Sequence, residues 1–295
     1  MEKKVHHRRY RLTVADPAGN ITALIEAADD EPVPAALWTD DERQQIVRRV
    51  MREHPDVEQA GFVIPCQDGE TGKDPRFSPP FPSPSSLWRL EMAGGEFCGN
   101  AARSFGLFIA QKTGLCGTAT VHVTVSGAEN PLAVLADTQN STAEVALPPP
   151  RKAGTVPFQG ANLPAVIFDG ITHVIMEGAG RDTDKAVLTE TFFAVKKIAE
   201  AALGPEPPAA FGVMFYDTER AFLRPAVFVN GIETFVFENS CGSGSAALAW
   251  YRALCCPDGT YCHTFQQPGG AITARLTKAQ GEIAAIFIGG NVCFQ

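Results

Sequence analysis

The chain of 295 residues is long enough for two domains of about 150 residues each. Its 45% hydrophobic and 20% charged residues fit a folded globular protein and exclude a disordered one. Twenty-five Lys and Arg against 33 Asp and Glu leave a net charge of −8, whose field repels phosphate and anionic lipid, so neither nucleic acid nor a membrane is an expected partner.

The one basic run, Lys3, Lys4, His6, His7, Arg8, Arg9 and Arg11, reads as a solvated leading segment, because no apolar stretch long enough for a signal peptide or membrane span follows it. Alternating or β-rich runs then predict strands at Arg8 to Val14, Ile21 to Glu26, Ala60 to Ile64, Leu87 to Met92, Thr118 to Val125 and Leu132 to Leu135. Between them, Thr39 to Glu53 reads as a surface helix, with Thr39, Asp40 and Asp41 as cap candidates and Ile46, Val47 and Val50 on one face. Pro65 to Ser86 is crowded with Gly, Pro, Ser and Asp and reads as a loop. Pro148 to Pro150 cannot continue a central strand and marks a domain boundary, giving domains 1–149 and 150–295, with the last strand free to return to the first. Beyond it, strands are predicted at Ala165 to Phe168, Thr172 to Met176, Phe211 to Tyr216, Phe222 to Val229 and Thr234 to Phe237, and a helix from about Asp182 to Leu203.

An internal repeat organises these elements. Gly94 to Ala102 aligns with Phe237 to Ser245: each runs from a strand into Cys-Gly (Cys98-Gly99, Cys241-Gly242), then small residues, then an apolar helix, Ala101 to Ala110 or Ala246 to Leu254. Gly127 lies 29 residues after Cys98, and Gly270 lies 29 residues after Cys241. The cysteines are 143 residues apart, about half the chain, as a duplicated domain requires. The fold class is therefore α/β (α+β), with two similar halves.

A cysteine at a strand-to-helix junction sits by unsatisfied N–H groups and the positive end of the helix dipole, which favour thiolate. The glycine after it lets the same N–H groups approach a substrate carboxylate. If the halves face one another across a cleft, Cys98 and Cys241 would flank a substrate. One thiolate would take the α-proton while the other thiol supplies a proton to the opposite face, with no cofactor.

Other motifs are weaker. The remaining cysteines, Cys66, Cys116, Cys255, Cys256, Cys262 and Cys293, are too sparse for a disulfide scaffold and form no CxxC pair, so a cytoplasmic protein with reduced thiols and no metal is expected. Cys255, Cys256, Cys262 and His263 lie close together but lack a second ligand pair at metal-binding spacing. Gly242-Ser243-Gly244-Ser245 lacks the third glycine of a dinucleotide loop, Gly69 to Lys73 is too short for a P-loop, and there is no Gly-x-Ser-x-Gly elbow.

Glu96-Phe97-Cys98-Gly99-Asn100-Ala101 and Glu238-Asn239-Ser240-Cys241-Gly242-Ser243-Gly244 resemble the two cysteine motifs of the diaminopimelate epimerase-like, cofactor-independent racemases. Pro17-Ala18-Gly19-Asn20 resembles that family's substrate loop, Thr172-His173 falls where it has an active-site histidine, and Gln267-Pro268-Gly269-Gly270 matches its Pro-Gly-Gly turn. The resemblance spans nearly the whole chain. It implies two pseudo-twofold-related domains, each a curved sheet around a central helix, with Cys98 and Cys241 as the acid/base pair. It further implies His173 and Glu238 orienting the substrate amine or the thiols, and Asn20, Gly99, Asn100, Gly242 and Ser243 binding the small-molecule amino-acid substrate. Oligomeric state is left open, a homodimer included.

The sequence departs from diaminopimelate epimerases where they grip a distal amino-acid head: their Asn-Pro-His is Ile171-Thr172-His173 here, and their Glu-Arg pair is Glu238-Asn239. Unpaired, such a second charged end would cost about 1–3 kcal/mol or more per buried group. Pro-x-Gly-Asn-x-Thr, Gly-x-Glu-Phe-Cys-Gly-Asn-Ala and Glu-Asn-Ser-Cys-Gly-Ser-Gly are more similar to the family's histidine racemases, including those of staphylopine-type metallophore biosynthesis. The alternatives are diaminopimelate epimerase, proline or hydroxyproline epimerase, and a non-catalytic relative. The last would usually lack one of the cysteines.

Overall fold

A computed structural model of the chain describes residues 8–65, 88–179, 182–204, 208–230 and 233–295. Lys3, Lys4, His6 and His7 of the basic run, Cys66, the Gly69 to Lys73 segment and nearly all of the Pro65 to Ser86 loop lie outside the described residues. The chain divides into two compact units: residues 1–17, 21–145 and 291–295 form the first, and residues 18–20 and 146–290 the second.

The first unit begins with β1 (Tyr10–Asp16) and β2 (Thr22–Ala27), an antiparallel pair in the register Leu12↔Ile25 and Val14↔Ala23. Helix α1 (Asp40–Glu53) then crosses over to β3 (Gln59–Pro65), which pairs parallel with β2. Thr39 caps α1: its hydroxyl accepts from the Glu42 N–H at 3.3 Å, and the Glu42 carboxylate accepts from the Thr39 N–H at 2.9 Å. Ile46 and Val50 bury the apolar face of α1 among Val14, Ile25, Trp38, Phe62 and Ile64. Strand β4 (Trp88–Met92) is antiparallel to β3 and leads to α2 (Gly99–Lys112), which crosses to β5 (Thr118–Val125), parallel to β4. Strands β6 (Leu132–Asp137) and β7 (Thr142–Leu147) extend the sheet antiparallel. At its other edge the short terminal strand Cys293–Phe294 pairs with Ala15 and Asp16 of β1.

The second unit repeats that order. After β8 (Lys152–Phe158) come β9 (Ala161–Ile167) and β10 (Ile171–Glu177), both added antiparallel. Helix α3 (Lys185–Ala202) crosses to β11 (Ala210–Asp217), parallel to β10, and β12 (Phe222–Val229) returns antiparallel. An extra strand, β13 (Thr234–Phe237), pairs with β12 before α4 (Gly242–Ala253) crosses to β14 (Gly259–Gln267), which meets β12 in parallel at Phe222↔Gln266. Strands β15 (Gly270–Ala279) and β16 (Glu282–Asn291) finish the unit antiparallel. Two parallel crossovers, each carried by a helix, thus recur at the same places in both halves. The fold is mixed α/β and strand-rich, with two domains of one design.

Helices α2 and α4 are the central ones. Ala101, Ala102, Phe105, Leu107, Ile109 and Ala110 of α2 are buried, as are Ala246, Ala247, Leu248 and Ala249 of α4. Both start earlier than the small-residue segments predict, at Gly99 and Gly242, because the cysteine is the cap and the Gly-Asn and Gly-Ser pairs lie inside the first turn. Close packing holds α2 to its sheet: a Cβ at Gly106 would lie 2.5 Å from Cβ of the buried Val134 on β6. Gly106→Ala should lower stability by about 1–3 kcal/mol in chemical denaturation, and adding Val134→Ala should recover part of the loss.

Candidate active site

The site residues gather at the two central helix starts. In the first unit Cys98 is the N-cap of α2 with φ −129 and ψ 115, and its sulfur accepts the Ala101 N–H at 3.4 Å. In the second, Cys241 caps α4 with φ −130 and ψ 110, and its sulfur accepts the Gly244 N–H at 3.4 Å. A cap is ordinarily an oxygen of Ser, Thr, Asp or Asn. Here a polarisable sulfur meets the positive end of each helix instead.

The surroundings of the two sulfurs differ. Cys98 is half-buried, and Gln59 Nε2, at the start of β3, donates to its sulfur at 3.3 Å and to Thr22 Oγ1 at 2.8 Å. Asn100 is buried, and its Oδ1 accepts from Arg103 Nε at 3.1 Å, so the side chain expected to touch substrate is engaged within α2.

Cys241 is buried. That burial and then the adjacent Glu238 carboxylate, which accepts a hydrogen bond from the thiol, push the thiol well above its ordinary range. The Ser243 hydroxyl and the Gly244 N–H oppose them and are outweighed. The expectation that a helix start favours thiolate is opposed at Cys241, where burial and Glu238 favour the neutral thiol.

Two side chains that the sequence did not single out shape this half. Gln267 Oε1 accepts the Cys241 N–H at 2.8 Å, and Gln267 Nε2 donates to Ser245 Oγ at 2.8 Å. Ser245 Oγ in turn donates to the Cys241 carbonyl at 2.7 Å, so the cysteine N–H is held by Gln267 and its carbonyl by the first turn of α4. Gln267 was visible only as the residue before Pro268-Gly269-Gly270, and Gln59 lay just outside the strand predicted from Ala60, because their contacts span 26 and 39 residues. Gly244 must stay small, since a Cβ there would lie 2.1 Å from Met214 Sδ.

His173, on β10, is fully buried, and its Nε2 lies 2.9 Å from Ser243 Oγ, which lies 3.6 Å from Cys241 Sγ. Its Nδ1 has no hydrogen-bond partner among the described residues. The inexpensive tautomer carries the proton on Nε2, donates it to Ser243, and leaves the Ser243 hydroxyl to point at the sulfur. Burial lowers the His173 pKa to about 3, so the ring stays neutral. Of the roles implied for His173, positioning the thiol fits this geometry, through Ser243.

The substrate-loop motif and the Pro-Gly-Gly turn, distant in sequence, meet in the second unit. A Cβ at Gly19 would lie 2.6 Å from Gly269 Cα, and the Gly269 N–H donates to the Asn239 carbonyl at 2.9 Å. Asn20, half-buried, follows directly from this contact, while Gly242 is buried beneath Ser243. Beside Gln267 lies a recess of about 480 Å³ lined by Asp182, Phe222, Arg224, Gln266 and Pro268. Phe222, itself largely buried, is the aromatic side chain that lines this recess.

Known structures share this architecture. A hydroxyproline epimerase from Agrobacterium vitis aligns with a TM-score of 0.61 at 14% identity over 100% of this chain and 93% of that one. A probable proline racemase from Agrobacterium radiobacter K84 aligns with a TM-score of 0.59 at 13% identity over 97% and 92%. Two relatives are more similar in sequence. A histidine racemase of Fusobacterium nucleatum is 29% identical over 250 residues, 81% of this chain and 79% of its own. A histidine racemase of Staphylococcus aureus is 26% identical over 261 residues, 87% and 85% respectively. Fold and relatives together define an isomerase of the amino-acid racemase and epimerase class. More narrowly, the chain belongs to the family described as the histidine racemase CntK N-terminal domain, whose model matches residues 11–294.

The buried histidine makes a stability prediction. Its folded pKa of about 3 lies below its ordinary 6.5, so the unfolded chain binds the extra proton and stability falls as pH drops through that window. The lowered carboxylates Glu31, Glu42 and Glu91 act in the same direction. The His173 share is therefore read by difference: His173→Gln should gain on the wild type by up to about 1.4 kcal/mol per pH unit between those limits. Parallel denaturation series checks it, and a constant difference would show the ring titrating normally.

Proposed function

We propose that this protein is a histidine racemase that moves the α-proton with Cys98 and Cys241 and needs no cofactor to do so. The observation that carries the reading is the matched capping of two central helices by cysteine sulfur, with the same backbone angles and the same third-residue N–H. Membership of the family and two relatives named histidine racemases support the substrate.

A thiolate at one helix start takes the α-proton, and the thiol at the other supplies a proton to the opposite face. Negative charge develops on the substrate carboxylate as the Cα–H bond breaks. The N–H groups opening the helices, at Gly99 and Asn100 and at Gly242 and Ser243, are the donors suited to hold it, with Asn20 a further polar contact. Glu238 stands beside Cys241 to take or return the thiol proton, and His173 orients that thiol through Ser243. The same reading places the enzyme in the cytoplasm. No helix among the described residues is long and apolar enough to cross a membrane, and the seven described cysteines are free thiols.

Proton NMR in D2O tests the reading. The α-proton signal of L-histidine should wash out with the wild-type protein, while those of meso-diaminopimelate and proline persist. Cys98→Ala and Cys241→Ala should each slow racemisation by about 100-fold or more. Retention of the histidine α-proton, or wash-out with proline alone, would overturn the substrate assignment.

A further inference from the structure

The repeat is broken by charge beside its two sulfurs. Three residues before Cys241 stands Glu238, and three before Cys98 stands Gly95; five residues after Cys98 stands Arg103, and five after Cys241 stands Ala246. One thiol has an anion for a neighbour and the other a cation.

Arg103 has no exposed surface, and heads the large side chains that are fully buried. Its guanidinium is held in a fixed place: Nε donates to Asn100 Oδ1 at 3.1 Å, Nη2 to the Pro17 carbonyl at 3.0 Å, and Nη1 to the Asn291 carbonyl at 3.1 Å. Pro17 is the residue at which the chain first leaves the first unit, for residues 18–20, and Asn291 is the residue at which it finally returns. Those three acceptors are uncharged. The titratable groups that act on the guanidinium are Cys98, which caps the start of its own helix, and Asp16, at the end of β1. Burial lowers the Arg103 pKa to about 10, against the opposing pull of Cys98 and Asp16, which leaves it a cation at neutral pH. A fixed, water-free positive charge favours negative charge on the sulfur it faces.

We propose that Arg103 is the positioning residue that keeps Cys98 a thiolate in the resting enzyme, so that the free protein carries its base at Cys98 and its acid at Cys241. This deepens the two-thiol reading above and rests on it. The resting enzyme is then ready for the enantiomer whose α-hydrogen faces Cys98. Cys98 sulfur forms an S–H bond as the substrate Cα–H bond breaks, and Cys241 gives up its S–H proton to the opposite face of the carbanion. Turnover leaves a thiol beside Arg103 and a thiolate beside Glu238, the disfavoured arrangement. It relaxes when Cys98 releases its proton to water and Cys241 takes one back. The opposite enantiomer requires that arrangement at the outset.

The test is the pH dependence of iodoacetamide alkylation, resolved by peptide mapping so that Cys98 and Cys241 are read separately in the full-length protein. In the wild type, Cys98 should reach half-maximal rate at lower pH than Cys241. Arg103→Gln, which keeps an amide donor, should raise the Cys98 midpoint by about one pH unit or more, a tenfold slower reaction below it. Arg103→Lys should restore most of the shift, and Asp16→Asn should move the Cys98 midpoint down. Asp16→Asn removes no buried cation, so its opposite shift decides the matter should Arg103→Gln fail to fold by circular dichroism. A wild-type order with Cys241 first, or a Cys98 midpoint that Asp16→Asn leaves in place or raises, would overturn the proposal. Histidine wash-out with unmoved midpoints would sink this proposal alone; shifted midpoints without wash-out of any amino acid would sink the racemase reading instead.

Discussion

The first N–H groups of a helix have no partner within it, and in both units of this protein a cysteine sulfur supplies one. Much follows from that constraint. The sulfur must stand at the end of an extended segment with its side chain turned back over the helix start, which fixes its direction without any substrate present. In α4 the first turn must also stay small, as Gly244 beneath Met214 shows. Because α2 and α4 are buried along most of their length, the two thiols are tied to the most rigid elements of their domains. Acid/base chemistry at carbon needs that rigidity, since a misplaced base loses the proton-transfer geometry.

Around this common frame the two halves have diverged in electrostatics rather than in topology. Unit one gives its sulfur the donors Gln59 and Ala101, and carries a buried arginine on the same helix. Unit two surrounds its own with a carboxylate, a hydroxyl and a neutral imidazole. A duplicated fold thus gives one residue type two different electrostatic settings.

The repeat was legible in the sequence because its marks are local: Cys-Gly, small residues, an apolar run, and a glycine at a fixed distance. Several strands were legible from alternating aliphatic residues, although β15, which alternates Ile272, Ala274 and Leu276 with polar residues, was missed. Strands β7, β8 and β14 to β16 were not read as strands, since Thr142 to Leu147 is built on small residues and Gly259 to Gln267 is mostly polar with much of its surface exposed. The neighbours that tune the thiols were hidden for a different reason. Gln59, Gln267 and the two carbonyls on Arg103 reach the site from distant parts of the chain, and no spacing rule connects them. His173 was found by resemblance, but its complete burial is a property of packing.

The terminal strand bears on how the protein is made. Cys293 and Phe294 pair with β1, Gln295 exchanges two backbone hydrogen bonds with Val14, and the Asn291 carbonyl receives Arg103. Residues 291–295 therefore belong to the domain whose other strands precede the second unit in the chain, yet they emerge only after that unit has been synthesised. The second unit's long span from residue 146 to 290 can fold as it appears, while the first must wait with an open sheet edge and an unfilled place beside a buried cation. The domain started first is the one finished last.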